Sequence, residues 1–362
     1  MTFGLPPVTP SPANRWPALR GGFTALTAAL LFGASTPLVQ RFGVGIGSFT
    51  TAALLYAGAA LVGALLRRPV ASEARVQRSD APRLAWMALF GAVMGPVALA
   101  WGLQRTTGAG ASLMLTLEAV FTAVLAWLWY RETLDRRVVA ALALLTLGGM
   151  LLVAEGAQVG ASPMLGLLAV LAATAAWGVD NTLSRGVSMR DPGQVVMFKG
   201  ALGAVATSLL ALMFSEPLPA PWPALALLLV GATGYGLSLR FYLLAQRAFG
   251  AARTGSVFAF APFVGALVAF ALGERSGSLW MLAAAVLMAA GIVLHLAERH
   301  GHAHAHDEEV HEHAHRHDDG HHGLHGHPHD VPPESEHSHS HRHAPERHTH
   351  AHVPDEHHAH RH

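Results

Sequence analysis

Four ionisable residues stand inside long apolar stretches of the sequence: Glu118, Asp180, Lys199 and Arg240. A charge in an apolar helix that crosses a membrane is costly, so each is by default a candidate functional group. Glu118 lies about 18 Å from the start of its predicted helix at 1.5 Å per residue and nearly as far from its end, too deep for its carboxyl to reach the surface. We interpret Glu118 as a carboxyl that binds and releases a proton. The alternative is a buried, hydrogen-bonded acid that only packs helices together.

The other three charges lie at similar depths, about 7–12 Å from one predicted end of their helices. A cluster of Asp180, Lys199 and Arg240 is therefore geometrically possible. In the functional interpretation, Lys199 and Arg240 meet an anionic group of a small molecule, such as a carboxylate. In the structural one, both cations extend to the lipid headgroups and Asp180 neutralises them. Four further residues are candidates for hydrogen bonds or a flat apolar wall: Asn181, Gln104, Tyr235 and Trp177.

The elements that must position these residues are apolar helices. The chain has 362 residues, of which 52% are hydrophobic and 13% charged. A membrane-crossing helix needs about 20 mostly apolar residues, and the pattern predicts ten such helices, although the tight 104–106 junction leaves nine open. They cover residues 19–40, 46–66, 83–104, 106–129, 137–154, 163–184, 192–214, 222–245, 251–272 and 276–297. A soluble protein would need a polar helix face, which most of these stretches lack.

Arginines near the helix ends predict the orientation. Fourteen lie on the N-terminal side of the predicted membrane and three on the other side, and basic residues favour the cytoplasmic face. We therefore expect a multi-pass protein of the plasma (cytoplasmic) membrane, with the N terminus in the cytoplasm. An even number of helices brings the C terminus to the same side. Proline-rich residues 1–18 are expected to be a disordered lead.

The body of the sequence contains an internal repeat. A set of residues recurs 142 positions later: Gln104-Arg105, Gly108, Phe121 and Glu132 reappear as Gln246-Arg247, Gly250, Phe263 and Glu274. Two halves of five helices each, residues 19–154 and 163–297, would have opposite orientations in the membrane. Inverted repeats of this kind are typical of secondary transporters, which bind their substrate near the midplane.

Residues 111–132 resemble the signature region of the EamA family of the drug/metabolite transporter superfamily. Leu117-Glu118 and the closing Glu132 match the family pattern, whereas Ala119 stands where proline is usual. The resemblance implies ten helices in two five-helix halves and transport of a small molecule.

The second copy of the pattern keeps the proline as Pro262 and the closing acid as Glu274, with Ala261 in place of the first acid. The resemblance covers residues 19–297. We predict an all-α integral membrane protein with ten transmembrane helices as two inverted five-helix repeats. Its expected function is a secondary transporter that exports a small metabolite or drug-like solute by alternating access.

Residues 299–362 form a low-complexity tail that we expect to be disordered and cytoplasmic. All 25 histidines of the chain lie at or after His295. Neutral imidazole suits divalent Zn, Ni, Co and Cu, so the His-x-His runs predict metal binding. The candidate ligands are His302, His304, His306, His311, His313, His315, His317, His325, His327, His329, His337, His339, His341 and His343.

Three interpretations of the tail stay open: a metal buffer that serves metal efflux, a pH-responsive segment, and an extension without a role. The body has no histidine before His295 and the chain has no cysteine, which argues against a dedicated transition-metal channel and excludes thiolate chemistry. No arrangement of residues typical of an enzyme is present. We expect no required cofactor and no nucleic-acid partner, and a homodimer stays open.

Overall fold

The computed structural model describes residues 15–67, 74–130, 136–187, 190–249, 251–275, 277–296, 300–305, 309–315, 337–343 and 347–352. Over this part of the chain the body is helical. Eight helical runs are long and apolar enough to cross a membrane: Gly21–Phe42, Ser48–Leu66, Arg78–Leu103, Gly108–Trp129, Arg136–Val159, Ala161–Ser184, Pro192–Met213 and Pro221–Gln246. They coincide within a few residues with the first eight predicted helices. The protein is therefore a multi-pass membrane protein.

Several of these runs consist of more than one helix. In chain order the α-helices are α1 (Arg15–Phe42), α2 (Ser48–Leu65), α3 (Ala81–Ala88), α4 (Gly95–Leu103), α5 (Gly108–Met114), α6 (Glu118–Tyr130), α7 (Arg136–Val159), α8 (Ala161–Ser184), α9 (Pro192–Met213), α10 (Pro221–Val230), α11 (Ser238–Phe249), α12 (Ala251–Phe258), α13 (Ala261–Ala271) and α14 (Leu279–Leu296). Helix α1 begins within the predicted N-terminal lead, of which residues 1–14 lie outside the described ranges.

The last two predicted membrane helices are shorter in the structure. The stretch predicted over 251–272 is two helices, α12 and α13, and the final one is α14. Helices α4 and α5 are separate, with residues 104–107 between them.

The run that contains Glu118 is interrupted by a 3₁₀ turn at Leu115–Leu117. The break is present although Ala119 replaces the usual proline, so proline is not required for it.

Close contacts between small residues hold the helices together, as expected where helix association gains nothing from excluding water. Helix α1 packs along α11 and α13, and α2 packs along α9. A Cβ atom on Gly33 of α1 would lie 2.2 Å from the carbonyl oxygen of Ala261. A Cβ atom on Gly58 of α2 would lie 2.1 Å from that of Leu228. These glycines allow the backbones of different helices to touch.

Carboxylates from the second half of the chain cap two helices of the first half. Glu216 accepts hydrogen bonds from the backbone N–H groups of Phe49 and Thr50, at 3.2 and 2.7 Å, at the start of α2. Glu274 accepts from Gly108 and Ala109, at 2.9 and 3.2 Å, at the start of α5. The first N–H groups of a helix have no partner within it, and a negative charge there is favourable. The two caps therefore join the halves.

Large apolar side chains cover the outside of the helix bundle. Five tryptophans near the ends of predicted membrane-crossing helices are all between 41% and 67% exposed: Trp86, Trp127, Trp129, Trp222 and Trp280. Aromatic residues of this kind anchor membrane proteins at the interface with water. The exposed apolar surface fits contact with lipid.

Four short segments of the tail are described as strands. Strand β1 (His300–Ala305) pairs with β4 (Arg347–His352), and β2 (Glu309–His315) pairs with β3 (His337–His343), both antiparallel. The physical reason is the His-x-His alternation, whose period of two is that of a strand. The candidate ligands His306, His317, His325, His327 and His329 lie outside the described residues, as do Glu132 and Gly250 of the repeat.

Substitution Gly33→Ala should destabilise the bundle. The added methyl group meets the backbone of α13, so α1 must move, and overpacking of this kind costs about 1–3 kcal/mol. Thermal unfolding of the purified protein in detergent should occur at a lower temperature than for the wild type. Gly255→Ala is the matched control, since a Cβ atom there has nothing within 4 Å. An equal shift for both variants would contradict the packing argument.

Candidate functional site

A cavity of about 70 Å³ lies among the helices of both halves. The residues that line it are Phe32, Tyr56, Glu118, Trp177, Asp180, Asn181, Lys199, Gly234, Tyr235, Ser238, Leu239, Tyr242 and Phe258. Phe32, Tyr56, Glu118 and Gly234 each lie about midway along a membrane-crossing run. The cavity thus combines charged groups with aromatic rings, deep in the bundle.

Two π-helical segments form part of the surroundings of the cavity, at Leu89–Met94 and Gly231–Leu237. A π-helical turn disturbs the regular backbone hydrogen bonds, and such turns are frequent at functional sites. Here the carbonyl oxygen of Gly91 accepts a hydrogen bond from the Tyr56 hydroxyl and another, at 3.0 Å, from Trp177 Nε1. The first π segment therefore fixes the orientation of two cavity rings.

Glycines in the same segment make room for two residues of α8. A Cβ atom on Gly91 would lie 2.3 Å from the carboxyl carbon of Asp180, and one on Gly95 would lie 2.6 Å from Trp177 Nε1. The two glycines of the Gly91-xxx-Gly95 pattern thus allow a close contact with α8. The side chains that occupy the space beside them are Asp180 and Trp177, which line the cavity.

Lys199 of α9 and Asp180 of α8 form a buried ion pair. The Lys199 ammonium donates a hydrogen bond to Asp180 Oδ2, and the two side chains are 5% and 6% exposed. Asp180 Oδ1 has no hydrogen-bond partner within the described part of the chain. Lys199 therefore does not extend to the lipid headgroups, and its charge is matched inside the bundle.

Glu118 stands at the start of α6, immediately after the 3₁₀ interruption. Asn181, the residue next to Asp180 in sequence, donates a hydrogen bond from its amide nitrogen to Glu118 Oε1. This partner is neutral, so the Glu118 carboxyl receives a hydrogen bond without a counter-charge. Glu118 is half-buried, and Lys199, the cation among the lining residues, is already paired with Asp180.

Six aromatic rings form a continuous group around the cavity. The ring of Phe32 lies 5.8 Å from that of Trp177, 6.0 Å from Tyr235 and 5.3 Å from Phe258, measured between centroids. Tyr56 contacts Tyr235 at 5.6 Å, and Tyr242 contacts Phe258 at 5.0 Å. Most of these pairs meet edge to face, the arrangement that ring electrostatics favours.

The structure brings together six of the eight predicted site residues: Glu118, Trp177, Asp180, Asn181, Lys199 and Tyr235. Gln104 does not line the cavity, and its amide nitrogen donates a hydrogen bond to the carbonyl oxygen of Ile46, at 2.8 Å. Arg240 does not line the cavity, although it is on α11 like Ser238, Leu239 and Tyr242 of the lining. Residue 240 lies two positions from both 238 and 242, and on a helix such neighbours point in different directions. Of the three charges that lie at similar depth, only Asp180 and Lys199 therefore meet at this cavity.

Sequence reasoning missed several lining residues, chiefly the rings of Tyr56, Tyr242 and Phe258. Their one signal is an aromatic residue within an apolar helix, which does not distinguish a cavity from lipid. Phe32 had a better signal, since Phe32-Gly33 matches Trp177-Gly178 in the internal repeat, and both aromatic residues line the cavity. Among the side chains that the structure describes, no group of three His, Cys, Asp or Glu residues could hold a metal ion.

The bundle of membrane-crossing helices, with a cavity lined by charged and aromatic side chains, is that of a multi-pass membrane protein. The chain belongs to the EamA-like transporter family, whose model matches residues 19–154 and 164–297.

Two known proteins are similar to this chain. It is 27% identical over 294 residues to an uncharacterized transporter of Methanothermobacter thermautotrophicus (strain Delta H), a match that covers 76% of this chain and 86% of the relative. A solved crystal structure with 21% identity superposes with a TM-score of 0.56 and covers 76% of this chain and 94% of that one. The second likeness concerns the fold alone.

Removal of one partner of the buried ion pair should destabilise the protein. Lys199→Met leaves the Asp180 carboxylate buried without a cation, a change that costs about 3–5 kcal/mol. The double variant Lys199→Met/Asp180→Asn removes both charges and should recover much of the loss. Thermal unfolding and the monodisperse fraction in detergent measure both effects. If the double variant is no more stable than the single one, the pair is not what holds Asp180 in the bundle.

Proposed function

We propose that this protein is a secondary transporter that exports a small metabolite or drug-like solute through the central cavity by alternating access, coupled to protons. The observation that carries the proposal is the position of the cavity. It lies among helices of both sequence halves and combines an acid, an ion pair and aromatic rings midway along membrane-crossing runs. Secondary transporters place their substrate site where two repeats meet.

The packing of the helices supports an inverted repeat with five helices in each half. Counting each membrane-crossing run as one unit, the run five places after α1 is α8, and the second part of a run corresponds to the second part of its counterpart, so that α11 corresponds to α4 and α13 to α6. Under this exchange the contact of α1 with α11 becomes the contact of α8 with α4. The contact of α1 with α13 becomes that of α8 with α6. All four contacts are present, and the pairs α2–α9 and α7–α14 are exchanged with themselves.

Interruptions of the helices follow the same repeat. The π segments start at Leu89 and Gly231, which are 142 positions apart, as in the sequence repeat. The interruption at Leu115–Leu117 corresponds to the gap between α12 and α13. Irregular backbone at membrane depth is tolerated where it is buried in protein or lines a cavity. These matched irregularities support a movement of one half against the other around the cavity.

Arginine distribution supports an orientation with both termini in the cytoplasm of a plasma-membrane protein. The cap of α5 by Glu274 then lies at the outer face, as does the cap of α2 by Glu216. Both caps join the two halves, so an outward opening of the cavity would require the hydrogen bonds of these caps to break. In an exporter, the caps would break after the solute has entered the cavity from the cytoplasm.

Substitution Glu118→Gln should abolish proton-coupled export. The amide has nearly the size of the acid and keeps an acceptor oxygen for Asn181, but it does not bind and release a proton. Cells that overproduce the wild type should release specific metabolites into the medium, or resist toxic solutes, more than cells with the vector. The variant should lose this gain at equal membrane abundance, and a protonophore should suppress the gain of the wild type.

Glu155→Gln is the matched control, since Glu155 lies on α7 and does not line the cavity. It should export like the wild type. Wild-type export by Glu118→Gln would contradict the role of this carboxyl.

The strand register in the tail favours a second candidate function, the buffering of divalent transition metals. The register pairs His302 with His350 and His304 with His348, and it also pairs His311 with His341. Two histidines at paired positions bring two imidazole-bearing residues to one place, and imidazole is a common ligand of Zn, Ni and Cu. The tail would then hold metal at the cytoplasmic face while the body transports a different solute.

Deletion of residues 300–362 separates the two functions. The truncated protein should keep solute export, because none of the cavity residues is in the tail, and it should lose most binding of Ni²⁺ and Zn²⁺. Equilibrium dialysis of both proteins against each metal, beside the export assay, measures this. Loss of export with the tail would contradict a transport site confined to the body. Equal metal binding by both proteins would contradict the buffer function.

A further inference from the structure

We propose that the cavity selects organic cations: solutes that carry a protonated or quaternary nitrogen on a flat apolar body. This inference rests on the proposed transport function and names its substrate class. It follows from the balance of charges around the cavity together with the arrangement of the rings.

The charged lining residues leave one carboxylate without a cation. Three lining residues carry charge, Glu118, Asp180 and Lys199. The ammonium of Lys199 is bound to Asp180, and the hydrogen-bond partner of Glu118 is the neutral amide of Asn181. Asp180 also keeps one buried oxygen, Oδ1, without a hydrogen bond in the described structure. With its acids ionised, the cavity is therefore net negative and has acceptor oxygens to spare.

An anionic solute would find this cavity unfavourable. To reach the one lining ammonium, a carboxylate would have to displace Asp180 from Lys199, and a buried carboxylate without its partner is strongly disfavoured. The displaced Asp180 would also remain confined by Gly91, which already touches its carboxyl group. The incoming anion would in addition lie near Glu118. We therefore infer that the solute is a cation, in place of the anion that we expected Lys199 to bind.

The rings provide the second half of the argument. A cation over the face of an aromatic ring, within about 6 Å of its centre, is attracted by the ring electrons, and the attraction is stronger where water is excluded. Phe32, Trp177 and Tyr235 form one contiguous wall, and Tyr242 with Phe258 extends it. Such walls also accommodate a flat apolar body. The Glu118 carboxylate and the surrounding aromatic rings together thus form a site for a cation with a flat apolar body.

The test uses three probes with one ring system and different charge: N-methylacridinium, acridine at a pH where its nitrogen is unprotonated, and acridine-9-carboxylate. Binding to the full-length protein in nanodiscs of zwitterionic lipid is measured by fluorescence titration, with protein-free nanodiscs as background. The wild type should bind the cation about tenfold more tightly than neutral acridine. It should bind the carboxylate no more than the background does.

Two variants locate the effect. Glu118→Gln should reduce the preference for the cation over acridine to about threefold or less, since it removes the carboxylate and keeps the shape of the cavity. Glu155→Gln should keep the full preference. Because the three probes already compare charges on the wild type, the proposal stays testable even if Glu118→Gln does not fold. Equal binding of all three probes, or tightest binding of the carboxylate, would overturn it.

Flux distinguishes this inference from the function on which it rests. Wild-type proteoliposomes that bind N-methylacridinium and move it across the membrane support both. Binding of the cation without flux of any probe would contradict transport and leave the ligand class in place. Flux of acridine-9-carboxylate without binding of the cation would overturn the ligand class and leave transport in place.

Discussion

Lys199 and Asp180 form an ion pair inside a bundle of apolar helices, where either charge alone would be strongly disfavoured. The pair joins the side chains of α8 and α9 at the depth of the cavity, and it occupies the one cation among the lining residues. The other features of the site depend on this. Glu118 is left with a neutral partner, Asn181, and the room for Asp180 requires a glycine at position 91. The charge balance of the cavity and the packing of the helices are therefore parts of one arrangement.

Irregular backbone is the second feature that shapes the site. A regular helix presents no free carbonyl to its neighbours, whereas the π segment around Gly91 supplies one that orients Tyr56 and Trp177. The 3₁₀ turn at Leu115–Leu117 tightens the helix immediately before Glu118. In lipid such backbone would be costly, but around a cavity it is tolerated. The same irregularities recur in the second half at the spacing of the sequence repeat.

Much of the fold could be predicted from the sequence because the physical requirement is simple. Each membrane-crossing helix needs about 20 apolar residues, so hydropathy located eight runs within a few residues. The site was predicted in part for a similar reason: ionisable residues within such runs are rare, and Glu118, Asp180 and Lys199 all line the cavity. Tyr56, Tyr242 and Phe258 were missed because an aromatic residue suits lipid and a cavity equally well.

The sequence by itself determined the class of the protein, the approximate helix bounds and which charges lie at membrane depth, because apolar length and the cost of charge are local properties of the chain. Only the tertiary structure decided how those charges are paired. Depth made Asp180, Lys199 and Arg240 equivalent, but rotation about each helix axis brought the first two together and left Arg240 out of the lining. Rotation depends on packing against neighbouring helices, through contacts such as Gly91 with Asp180. The charge that the cavity presents to a solute is therefore a property of the assembled bundle.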